Sequence, residues 1–214
     1  MKKVFIKTTA LTILVFIIGF YIGIWFDSLR LEEVKTRLTE IDNLWNDARL
    51  LNEYIKKFSN ISNYCDFLLE ENLKSGDKIY AEGLRIEEYE KTNRFAPSLT
   101  LEKKRYALLD LQFWLNSIEL KKLCNANYST LIYFYSYYNK TLEQRFQDKT
   151  LFDFKQKCGP QIIYITFPAD MDISTIDIIK SIYNIKKIPA ILINESLVLS
   201  GPLSMSDLEK YVTC

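Results

Sequence analysis

Tyr183-Asn184-Ile185-Lys186-Lys187-Ile188-Pro189-Ala190-Ile191-Leu192-Ile193-Asn194 is the stretch on which the fold turns. The four apolar residues after Pro189 have the length of a buried strand, and Pro189 bars a helix from running into them. A short polar turn and the run Leu197 to Gly201 make this strand half of a hairpin, and a helix from Ser204 to Val212 follows. Upstream lie an apolar strand from Thr130 to Ser136, a helix from Lys140 to Lys157, a strand from Gln161 to Phe167 and a helix from Ser174 to Tyr183. Strand, helix, strand, helix, hairpin and helix predict an α/β layered unit over residues 127–214.

The run Tyr183–Asn194, with Val198, Gly201 and the amphipathic last helix, closely resembles the second half of thioredoxins, and the resemblance extends over about 85 residues. It implies an α/β thioredoxin-like C-terminal domain, and the chain before it reads, by its own apolar patterning, as an N-terminal transmembrane helix and an α-helical stalk and hairpin. It also implies a cis Ile188–Pro189 bond, with the Ile188 backbone beside the tip of the first helix, where the family meets substrate peptide. The whole chain resembles archaeal membrane-anchored thioredoxin-like proteins with a helical hairpin insert.

The departure from that family lies at Ser136-Tyr137-Tyr138-Asn139-Lys140-Thr141-Leu142, where Asn139 and Leu142 match the positions of its two redox cysteines. Thiolate chemistry needs a sulfur there, so the family's activity is not implied, and Asn139 reads as the N-cap of the helix. Tyr137, Tyr138, Asn139, Ile188 and Pro189 are the candidate binding surface for an extended polypeptide. The alternative for the tyrosines is packing against the stalk. Cys158-Gly159-Pro160 looks like part of a thioredoxin active site, but it falls where Gly and Pro end a helix. The resembled topology sends that helix and the last one to the same end of the domain, which implies a Cys158–Cys214 disulfide.

At the other end of the chain, Thr8 to Phe26 holds 19 residues without a charge, enough at about 1.5 Å each to span roughly 28 Å of hydrocarbon. Lys2, Lys3 and Lys7 precede it, and the segment after it carries mixed charge. The positive-inside bias therefore predicts a cytoplasmic N-terminus and an extracytoplasmic body. No small-residue exit follows the span, so residues 1–27 read as a retained anchor. Gly19 and Gly23 form a G-x-x-x-G spacing, which in an Ile-rich span is more often incidental than a dimer contact.

Residues 28–126 form the stalk and hairpin. Leu31, Val34, Leu38, Ile41, Trp45, Ala48 and Ile55 recur at three- and four-residue steps, which predicts a helix, and Ser59–Asn63 interrupts it. A second helix runs to Thr92, and Asn93–Leu99 is a turn with Ser98 available as the next cap. A third helix runs to Cys124 with Leu101, Leu108, Leu111, Leu115 and Ile118 on one face and Trp114 beside them. The stripes predict a three-helix core, with a homodimer through a stalk coiled coil as the alternative. Cys65 and Cys124 lie about 30 and 29 residues from the middle of the turn, so an antiparallel hairpin brings them side by side as a disulfide; the alternative is two buried free thiols.

The remaining composition narrows function. With 28 Lys+Arg against 27 Asp+Glu, no field is available to hold nucleic acid, and the absence of histidine removes Ser-His and Cys-His chemistry. No C-x-x-C pair is present, and neither a metal nor a cofactor is expected. Four Asn-x-Ser/Thr sequons occur, at Asn60, Asn127, Asn139 and Asn194. The reading is a membrane-tethered, non-catalytic module that binds extended polypeptide or a partner protein. The alternative is a thiol-disulfide oxidoreductase with its chemistry moved to another cysteine.

Overall fold

The computed structural model describes residues 2–57, 64–93 and 97–214. The expected interruption at Ser59–Asn63 and the centre of the turn at Asn93–Leu99 lie outside them. By compactness the chain divides into two units, Met1–Asp42 and Asn43–Cys214. Helix α1 (Lys2–Lys57) supplies every described residue of the first unit, and residues 43–57 of it belong to the second.

Within the first unit, Ile6–Phe26 is a helix of 21 residues with mean hydropathy 2.2, and none of its described side chains is buried in the protein. It is long and apolar enough to cross a membrane.

The second unit contains α2 (Cys65–Asn93), α3 (Pro97–Cys124), β1 (Ser129–Tyr135), α4 (Leu142–Cys158), β2 (Ile162–Pro168), α5 (Ser174–Ile182), β3 (Ala190–Ile193), β4 (Leu197–Ser200) and α6 (Met205–Leu208). The sheet runs β2-β1-β3-β4; β1 and β2 are parallel, and the other pairs are antiparallel. Leu131 and Tyr133 on one face pack with Leu151, Phe154 and Cys158 of α4, Leu208 of α6, and Val212. On the opposite face Phe134 meets Phe167 edge-to-face at 5.6 Å, and Phe167 meets Trp114 of α3 at 6.0 Å. Burial on both faces explains why β1 reads as a continuous apolar run.

The expected α/β thioredoxin-like class is corrected by these proportions. Helices of 56, 29 and 28 residues dominate the chain, and the sheet is a small mixed one, two of whose four strands have four residues each. The chain is a helical protein with a small sheet. Strand and helix periods fix local elements, whereas class depends on how much core each layer supplies, and α3 packs directly on β2.

The hairpin brings aromatic side chains close to two glycines. A Cβ on Gly76 would lie 2.8 Å from Phe113 Cζ, and one on Gly83 would lie 2.5 Å from the Tyr106 hydroxyl. Asn72 Nδ2 donates to Ser117 Oγ across the same interface at 3.1 Å. At its base Cys65 and Cys124 are disulfide-bonded, with Cα atoms 5.4 Å apart, beside the cluster of Ile55, Leu68 and Leu120. Cys158 and Cys214 form the second pair, with Cα atoms 4.9 Å apart.

The expected apolar face of α3 is also corrected. Leu101, Leu108 and Leu115 are exposed, whereas Leu99, Leu109, Leu111, Phe113, Trp114 and Leu120 are buried. A helix that packs on both a neighbouring helix and a strand buries more than one stripe, so a single heptad row does not mark its core face. Pro97 is the first residue of α3, the position that tolerates a missing N–H, so Ser98 lies inside the helix. The last helix is shorter than expected; it starts behind Ser204, whose side chain forms a capping box with Asp207.

Candidate functional site

Phe134 pairs with Ala190, so the loop after β1 and the Ile188–Pro189 pair before β3 stand at the same end of the sheet. The Ala169 N–H donates to the Tyr135 carbonyl at 2.8 Å, which brings the loop after β2 to that end as well. The Ile188–Pro189 bond is cis. Pro189 is buried, and Ile188 is 38% exposed.

The loop from Ser136 to Asn139 is held from two sides by residues that sequence reasoning missed. Gln144 of α4 clamps Ser136: its Oε1 accepts from the Ser136 N–H and its Nε2 donates to the Ser136 carbonyl, both at 3.0 Å. Asp170 accepts from the Ser136 hydroxyl, from the Tyr137 N–H at 2.7 Å and from the Tyr138 N–H at 3.2 Å. Ser136 Oγ in turn accepts from the Asn139 N–H at 3.0 Å. A legible signal existed for Gln144, which sits at an inward position of α4 with Gln147, Leu151 and Phe154. No local pattern marks Asp170.

Asn139 is not the N-cap of α4. Thr141 is, its hydroxyl accepting from the Gln144 N–H at 3.1 Å, and the helix starts two residues later than expected. Asn139 is exposed in the loop, and Leu142, the first helical residue, is 81% exposed. The two tyrosines divide. Tyr137 is half-buried under Lys103 of α3, whose Nζ lies 4.4 Å from the ring centroid. Lys103 also pairs with Glu90 of α2 at 2.7 Å, and Lys140 stands 3.9 Å from the same carboxylate. Burial pushes the Lys103 ammonium below the usual lysine range, against the pull of Glu90. Tyr138 stays 60% exposed, its ring edge-on to Tyr137 at 5.0 Å. The far end of the hairpin thus takes one tyrosine into its packing and leaves the other open.

Asp170 makes the loop acid-sensitive. Burial alone would raise its carboxyl, but the hydrogen bonds from Ser136, Tyr137 and Tyr138 outweigh it and hold the group below its ordinary value. A depressed carboxyl contributes stability above its unfolded value of about 4 and loses it as pH falls through the folded value. Asp170→Asn is therefore expected to reduce stability at neutral pH and to flatten the acid limb below about pH 4. Chemical denaturation of both proteins across pH 2–7 checks this; parallel acid limbs would contradict it.

No protein-family model matches this chain, and no curated protein matches it either. Among solved structures, a chain described as "Structure of a malarial protein" aligns at a TM-score of 0.32 and 16% identity, covering 40% of this chain and 93% of that one.

Proposed function

We propose that residues 43–214 form a non-catalytic binding module, tethered by the N-terminal helix on the extracytoplasmic side, that captures an extended polypeptide. The observation that carries this reading is that two open side chains, Tyr138 and Ile188, stand at the same end of the sheet as a loop anchored by Asp170 and Gln144. A loop held by hydrogen bonds loses little entropy on binding, and exposed aromatic and apolar side chains offer area to a peptide strand. Asn139 completes the face, with Tyr137 acting through its packing under Lys103 and the buried Pro189 through the turn that leads into β3. The paired cysteines support an oxidising location for the body. The oxidoreductase alternative would have to run through one of the two disulfides, in which all four cysteines stand.

Binding of a fluorescein-labelled, reduced and alkylated unfolded polypeptide, followed by polarisation in detergent, tests the reading. Tyr138→Ala is expected to weaken binding about tenfold with unchanged thermal midpoint, since an anchoring aromatic is worth about 1–2 kcal/mol. Equal affinity in wild type, Tyr138→Ala and Ile188→Ser would remove the polypeptide from this face.

A further inference from the structure

The fold treats the amides of the Asn-x-Ser/Thr sequons differently. Asn60 lies outside the described residues. Asn194 is fully engaged: its Oδ1 accepts from the Thr130 N–H and from Lys121 Nζ, each at 3.1 Å, and its Nδ2 donates to Ser129 Oγ at 3.4 Å. It sits at φ 47° in the turn between β3 and β4. Those Oδ1 bonds fix the amide against β1 and α3 with its nitrogen turned to Ser129, so a sugar on that nitrogen would have to fit beside β1. Asn127 is the opposite case. It is exposed in the short segment between α3 and β1, belongs to neither element, and its side chain makes no hydrogen bond among the described residues. The seven residues of β1 separate it from the Tyr138 loop.

We propose that Asn127 is an N-glycan acceptor of this body and that Asn194 stays bare. In the transfer, the Asn127 amide nitrogen displaces the lipid phosphate or pyrophosphate from the anomeric carbon of a lipid-linked oligosaccharide. The N–C bond forms, the C–O bond to the lipid carrier breaks, the amide nitrogen gives up one proton and the lipid (pyro)phosphate leaves. The chain meets such a donor on the extracytoplasmic side, so the inference rests on the orientation proposed above. Asn139 is exposed too, but it lies beside Tyr138, and the binding reading needs it bare.

The test is glycopeptide mass spectrometry of protein purified from its own membranes, paired with protease added outside intact cells or spheroplasts. The expected result is a body removed by external protease, with a glycan on Asn127 and none on Asn194. Asn127→Gln should then lose one glycan's mass and Asn194→Gln none. Bare Asn127 in a body that protease removes overturns the inference and leaves the binding reading standing. A glycan on Asn194 also overturns it. Glycans on both Asn127 and Asn139 support the inference and sink the binding reading instead. A protected body without glycan overturns the orientation, and the inference with it.

Discussion

Replacing Cys65 and Cys124 together by alanine is expected to lower the unfolding free energy by about 4 kcal/mol, the chain-entropy value for a closed loop of roughly 60 residues. The two cysteines are 59 positions apart in sequence, and their bond closes the base of the α2–α3 hairpin beside Ile55, Leu68 and Leu120. Without it the reduced chain explores many more arrangements of the two helices before the core forms. Equilibrium urea unfolding of the oxidised wild type and the double variant, followed by circular dichroism, gives the difference. A loss below about 1 kcal/mol at equal denaturant slope would show that α2 and α3 already hold each other in the unfolded ensemble.

Phe167→Ala carries the second large effect, an expected loss of about 3–5 kcal/mol. Phe167 is fully buried and touches Phe134 on the neighbouring strand and Trp114 on α3, so its ring joins the sheet to the helical hairpin. Truncation leaves a void between two rigid elements that cannot collapse, which places the cost toward the upper part of that range. The same urea measurement checks it. A change of less than 1 kcal/mol would mean that α3 is only loosely seated on the sheet.

These two sites differ in how far sequence could see them. Equal distances of Cys65 and Cys124 from one turn are a one-dimensional fact, and an antiparallel hairpin converts it directly into proximity. The contact of Trp114 with Phe167 bridges 53 positions and obeys no spacing rule. Local chemistry also misled where two residues competed for one role. Asn139 and Thr141 are both good caps, and Thr141 takes the position because Asn139 stands in a loop fastened by Ser136, Gln144 and Asp170.

From the sequence alone came the apolar span near the N-terminus, the helical hairpin with its cysteine register, and the order of strands and helices after Ser129. Each follows from the period of apolar residues, the placement of Gly and Pro, or counting along the chain, and these are forces that act within a few turns. Tertiary structure alone decided the class of the protein, the buried faces of α3 and the division of labour between Tyr137 and Tyr138. Burial depends on the summed surface of every neighbour, and α3 has neighbours on both α2 and β2 that no single helical stripe encodes. Lys103 and Asp170 reach the Tyr137 loop from residues 34 positions before Tyr137 and 33 after it, so only the folded chain could show which tyrosine remains open.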